Sequence, residues 1–185
     1  MYIKSAPESL FEDMRSVWDA LPRKGDEKVP QKNSLNPFHL KAHLSNIGIA
    51  EHLGGGQLTF RLLGTNSREF WGEELTGKQY DSLAEELPEG VMMPPQILEA
   101  IFNQPCGMKS RRKAEDKQGV SWLCDMLALP LADKAGEVKF LLYCYRIFPE
   151  ETGQVKVGWE PGFADLSTAQ LLSAEFVDIS WGAPG

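Results

Sequence analysis

The sequence is poor in the residues that most chemistry needs. Cysteine and histidine occur three times each in 185 residues. Cys106, Cys124 and Cys144 form no C-x-x-C pair, and an odd, widely spaced set suits neither a disulfide framework nor a zinc ribbon. They read as reduced thiols within the fold. Long apolar runs are also absent: the densest, Phe140–Tyr145, is far short of the roughly 18 residues that a membrane-spanning helix requires. No membrane partner is expected. The opening MYIKSAPESLFEDMRS carries Glu8, Glu12 and Asp13 where an export leader needs a basic segment and then an apolar one, so the expected location is cytoplasmic. Basic clusters are limited to Lys109–Lys113 in a chain of net charge −7, and from Glu150 onward six acids accompany one lysine. Phosphate neutralisation needs a basic surface, so nucleic acid is not an expected partner. On a strand, the Lys109–Lys113 cluster reads as a solvated edge.

Catalytic patterns are missing as well. There is no G-x-S-x-G elbow, and Gly54-Gly55-Gly56 leads into a strand pattern instead of the helix that a phosphate loop requires. Glu73 and Glu74, like Glu85 and Glu86, are chain neighbours that point in different directions on a helix, so neither pair forms an acid–base couple. His39 and His43 stand four apart, a metal-compatible spacing, but no motif supplies a third ligand. No catalytic residue and no metal site is assigned, and the chain is not expected to be an enzyme.

What remains is an ordinary globular composition, 42% hydrophobic and 24% charged, with length for about one core. Leu10, Phe11, Met14, Val17, Trp18 and Leu21 recur at the spacing of one helical face, with Ser5 as a candidate cap. Pro22–Leu35 is polar and aperiodic and reads as a linker over the surface. Asn36-Pro37 opens a short helix through about Leu44. Ile47–Leu53 and Leu58–Leu63 form a hairpin around the glycines, with Leu58, Phe60 and Leu62 on its buried face. Thr65 or Asn66 caps a helical turn bearing Phe70 and Trp71 and ending at Gly72. Further short helices cover Tyr80–Leu87 and Gln96–Asn103, the latter with a stripe of Ile97, Leu98, Ile101 and Phe102.

Three strands follow, Met108–Glu115, Ser121–Leu129 and Val138–Phe148, in two hairpins. Aligning the last two around their turn puts Trp122, Cys124 and Met126 on the face of Phe140 and Leu142, and leaves Asp125, Lys139 and two tyrosines on the other. That second face needs cover. The N-terminal helix, alone or paired with its copy in a homodimer, is the candidate. Ser167 reads as the cap of a short helix through about Glu175 in an acidic, aromatic-containing tail.

The element order, together with Phe60-Arg-Leu-Leu-Gly-Thr65, Phe70-Trp-Gly72, Glu74-Leu-Thr-Gly-Lys78 and Leu129-Pro-Leu131, resembles the PAS (Per-Arnt-Sim) domain family, in particular its bacterial stand-alone branch. The resemblance runs from about Trp18 to Phe148. It implies an α+β fold: a five-stranded antiparallel sheet with short helices on one face and the amphipathic N-terminal helix beside it. The expected division is residues 1–35 as helix and linker, 36–149 as the PAS-like domain and 150–185 as the tail. It further implies a sensory or adaptor module whose cavity holds a small molecule and which signals to a partner protein that the sequence does not identify. On this mapping the ligand-binding candidates are Phe60, Phe70, Ile97, Ile101, Met126 and Leu142, with Arg61, Asn66 and Arg146 as polar contacts. A solid core satisfies the same pattern, so a ligand chamber and a filled dimerisation or docking module both stand at this point, with an enzyme whose site is assembled from scattered residues as the lesser alternative. The cofactor is unknown. All three histidines precede Leu53, away from the long helix where a haem-binding PAS domain offers its ligand, and Ser67 stands where a photoactive flavin domain carries its cysteine.

Overall fold

The computed structural model describes residues 9–25, 27–71, 74–84, 87–150 and 164–179. Among these residues four α-helices form, α1 (Leu10–Ala20), α2 (Thr65–Trp71), α3 (Tyr80–Ala84) and α4 (Pro95–Asn103). Six strands accompany them: β1 (Ile47–Gly54), β2 (Gln57–Leu63), β3 (Gly107–Asp116), β4 (Ser121–Ala132), β5 (Val138–Pro149) and β6 (Ala164–Val177). All six form one antiparallel sheet in the order β2-β1-β5-β4-β3-β6, so the early hairpin and the late strands join through the β1–β5 pair.

The early hairpin turns through Gly55 and Gly56, both with positive φ (62° and 76°), the backbone that a two-residue turn needs to match strand twist. Gly56 is doubly constrained, because a Cβ there would collide with the carbonyl of Pro95 at the start of α4. The Glu99 carboxylate accepts from the Gly56 amide at 2.6 Å and contacts His52 Nε2 at 2.9 Å, while the His52 ring stacks on Phe102. The turn is thereby fastened to α4.

Both sheet faces are covered. On one side α2, α3 and α4 pack over Ala50, Leu58, Phe60, Leu141 and Tyr143. On the other, Leu10, Met14 and Trp18 of α1 meet Ile47, Leu127, Leu129, Leu131, Leu142 and Cys144. The Trp18 indole donates to the Pro130 carbonyl at 2.7 Å. The segment after α1 is more than a surface linker: Val29 and Pro30 are buried, and the Pro30 carbonyl accepts from the Ala132 amide at the end of β4.

Several local expectations are corrected. Asn36 does cap the turn that begins at Pro37, accepting from the Phe38 amide, but the helix is a 3-10 turn ending at Leu40. Residues 164–177 are a strand, not a helix through Glu175: along β3 they find unpaired backbone donors and acceptors, and six strands replace the implied five. That pairing also removes β3 from the sheet edge, so the Lys109–Lys113 cluster is not a solvated edge. Arg111 makes a forked pair with Asp125 (2.6 and 2.7 Å) and Lys113 pairs with Glu150, whereas Arg112 turns inward.

The alignment of β4 and β5 is corrected by one residue. Ala132 pairs with Val138, and continuing that register would set Met126 opposite Cys144, on the face of Leu142. A register shift between Leu131 and Ala132 places Met126 opposite Tyr145 instead. Since strand side chains alternate with period two, one extra residue transfers the whole set to the other face. Leu141, Tyr143 and Tyr145 therefore lie beneath the helices, and Phe140, Leu142 and Cys144 lie toward α1. A similar shift at Ile49/Ala50 takes Leu62 off the face of Leu58 and Phe60 and leaves it 45% exposed. Ser5 and Gly72, the expected cap and stop, lie outside the described residues.

Candidate functional site: a cavity under the helices

Between the sheet and α2–α4 lies a cavity of about 60 Å³. Its floor comes from β1 (Ala50), β2 (Leu58, Phe60), β4 (Cys124, Met126, Ala128) and β5 (Leu141, Tyr143, Tyr145), and its roof from Phe70, Trp71, Tyr80, Leu83, Met92 and Leu98. Met108 and Arg112 of β3 complete the wall. One water needs about 10–15 Å³ measured in this way, so the space suits a few waters or a ligand of a few heavy atoms. Drug-sized sites run to about 300–1,000 Å³. The space as it stands is smaller than a flavin or a haem.

The polar groups are few and converge. Arg112 is 9% exposed; its Nε donates to the Val91 carbonyl and its Nη1 to Ser110 Oγ, both at 3.0 Å. The Tyr80 hydroxyl accepts from the Met93 amide at 2.9 Å and lies near the Arg112 guanidinium. Arg112 and Tyr80 thus hold the 91–93 segment against the cavity. Tyr143 reaches across β1 to donate to the Leu62 carbonyl at 3.2 Å, which it can do because Gly48 opposite it has no side chain: a Cβ there would occupy the ring's place. Burial pushes all three phenols up, with Arg112 opposing the rise at Tyr80 and Tyr145. They are neutral hydrogen-bonding groups at ordinary pH. Burial likewise pushes the Cys124 thiol up to about 12, which leaves it a protonated, unreactive wall residue. The Ser67 hydroxyl is buried and lies close enough to Tyr145 to ease its ionisation, yet no partner among the described residues meets hydrogen-bond geometry.

Of the residues expected at the site from sequence, Phe60, Phe70 and Met126 line the cavity. Ile101 is fully buried in the surrounding cluster and Ile97 packs beside it, but it is Leu98 of α4 that faces the space. Leu142 lies on the α1 side through the register shift, and Leu141 takes its place. Arg61 is on the outer surface, paired with Glu51 at 2.6 Å. Arg146 faces the α1 side, stacked over Phe148 with a buried Nε that has no hydrogen-bond partner among the described residues. Asn66 sits on α2 outside the wall, its neighbours Ser67 and Phe70 turning inward. Arg112, Tyr80, Tyr143 and Tyr145 went unrecognised. The alternation Met108, Ser110, Arg112, Ala114 along β3 was the available signal for Arg112.

Among the described residues no three His, Cys, Asp or Glu side chains are grouped to hold a metal ion; His43 contacts Asp13 at 3.2 Å, and His39 is exposed. No described helix is long and apolar enough to cross a membrane. A curled antiparallel sheet with short helices on one face and a chamber beneath them defines an α+β module. In agreement, the family model described as PAS domain matches residues 7–145, three quarters of the chain, and the protein belongs to that family. The match includes α1 and ends at Tyr145, before β6. No curated protein matches the chain.

Proposed function

We propose that this PAS domain is a sensory or adaptor module that takes a small molecule into the cavity and reports its presence through α1. The observation carrying this reading is that β4 and β5 serve both sides at once. Ala128, Leu141 and Tyr143 face the cavity, while their chain neighbours Leu127, Leu129 and Leu142 face α1. A guest that tilts or spreads these strands changes the seat of the helix, and it shifts the equilibrium by its difference in affinity for the two arrangements. The recipient of the signal is a partner protein or a second copy of the chain. Leu10, Met14 and Trp18 are already buried against their own sheet, so a homodimer through this helix exchanges α1 between copies or uses its outer face. The smallness of the cavity favours a second reading in which the core is simply filled and the fold serves dimerisation or docking.

Native mass spectrometry of the purified protein, with melting curves across a panel of small metabolites, tests the first reading. A bound mass or a melting shift accompanied by altered hydrogen exchange in α1 is expected. A protein that is empty and unmoved by every compound overturns it, and loss of an oligomer on deleting the residues before Trp18 then supports the second.

A further inference from the structure

The cavity wall contains a cation without a counter-charge among the described residues. A guanidinium keeps its charge at all accessible pH and carries five N–H donors, of which the Val91 carbonyl and Ser110 engage two and the Tyr80 hydroxyl lies alongside. The buried acids among the described residues are committed elsewhere. Asp116 accepts from the amides of Gln118 and Val120 and from the Trp122 indole, and Asp125 is gripped by Arg111. A charge enclosed by apolar side chains is strongly disfavoured unless something neutralises it. We propose that the missing partner is a ligand: the cavity takes a short-chain monocarboxylate, its carboxylate on Arg112 and its alkyl chain against Leu58, Leu98 and Met126.

Carboxylate is the planar, two-oxygen anion that a guanidinium fork fits best. Tyr80 and Tyr145 line the same space, and the Tyr80 hydroxyl near Arg112 is a neutral donor for a remaining lone pair. A single negative charge balances Arg112, and the apolar remainder of the wall leaves a second charge without a partner. The volume, about 60 Å³, limits the chain to a few carbons. This assignment rests on the ligand-sensing reading above and specifies its chemistry.

The test is titration of the full chain, by calorimetry and thermal melting at fixed ionic strength, with straight-chain acids from acetate to hexanoate and with the matching primary amides and alcohols. Acids are expected to bind and raise Tm with an optimum chain length, and amides and alcohols to do neither. Arg112→Met is expected to weaken acid binding about 10- to 100-fold, and Tyr80→Phe to weaken it less. Should Arg112→Met fail to fold, Arg112→Lys keeps the charge but loses the fork, and the acid-to-amide comparison in the unaltered protein stands by itself. Amides or alcohols binding as tightly as acids refute the anion assignment and leave the sensing role intact, as does a folded Arg112→Met that binds acids normally. Chloride or phosphate reproducing the whole effect refutes it too. No binding in any series refutes the assignment, while the sensing role is overturned only if native mass spectrometry and the metabolite panel are also blank.

Discussion

Replacing Trp18 measures how firmly α1 belongs to the folded domain, on which the proposed signalling route depends. The side chain is 1% exposed, its indole N–H donates to the Pro130 carbonyl at 2.7 Å, and the guanidinium groups of Arg15 and Arg23 lie 5.5 and 4.8 Å from the ring centroid. Trp18→Ala removes the ring from a packed layer and is expected to cost about 3–5 kcal/mol. Trp18→Phe keeps an aromatic surface for the two arginines but strands the buried carbonyl, at a cost of about 1–3 kcal/mol. Set against a typical domain stability of about 5–15 kcal/mol, the alanine loss is large.

The urea transition followed by circular dichroism distinguishes the outcomes. With α1 an integral layer, both variants shift the midpoint at constant slope, alanine further than phenylalanine. An 11-residue helix cannot persist undocked, so an α1 that is merely appended melts early and separately. Hydrogen exchange gives an independent reading: α1 amides in the unaltered protein are expected to be protected alongside those of β4 and β5. A Trp18→Ala cost below about 1 kcal/mol, or α1 amides exchanging as fast as a peptide, refutes the docking and the relay with it.

Two further outcomes follow from the packing. Gly48→Ala, whose methyl would occupy the place of the Tyr143 ring, is expected to destabilise by about 1–3 kcal/mol, and Tyr143→Ala made in the same chain is expected to relieve part of that loss; strict additivity in a double-mutant cycle refutes the contact. The three buried thiols are pushed up, Cys106 to about 11 and Cys124 and Cys144 to about 12, and the cavity tyrosines are raised with them. The folded chain therefore keeps protons that the unfolded chain releases, so their contribution to stability is whole below the ordinary thiol value of 9.0 and declines as pH climbs through the folded values, by about 1.4 kcal/mol per pH unit for each titrating group. Urea midpoints from pH 7 to 11 test the decline, and a thiol reagent at pH 8 is expected to find no reactive cysteine until denaturant is added; a fast-reacting thiol or a stability rising above pH 9 contradicts the burial.

The sequence made the element order legible because its punctuation is local: glycines for the β1–β2 turn, Asn36-Pro37 for a helical start, and a 3.6-residue apolar stripe for α1. The faces of the strands were less legible. Alternation along β5 shows two apolar sets, Phe140, Leu142 and Cys144 against Leu141, Tyr143 and Tyr145, but does not say which lies under the helices. That choice turns on a one-residue shift at Leu131/Ala132, for which the LADKAGE turn has no unique signature. The sixth strand was missed because its sequence, ADLSTAQLLSAEFV, carries good helix formers, and pairing with β3 overrides the propensity.

The same distinction explains why Arg112 escaped notice. In KSRRK the four basic side chains look like one cluster, yet period-two alternation and the pairing of β3 on both edges sort them by face. Arg111 and Lys113 find Asp125 and Glu150 on the outside, and Arg112 is left in the cavity wall. Net charge and local clustering cannot register that difference, because the relevant quantity is which carboxylates share a face after the sheet has formed. Arg111 meets one there, and Arg112 meets none among the described residues. The chemistry of this chamber is therefore decided by register: slipping β3 by one residue against its neighbours would turn Arg112 outward and bring Arg111 or Lys113 inside, each taken away from the carboxylate that now pairs with it.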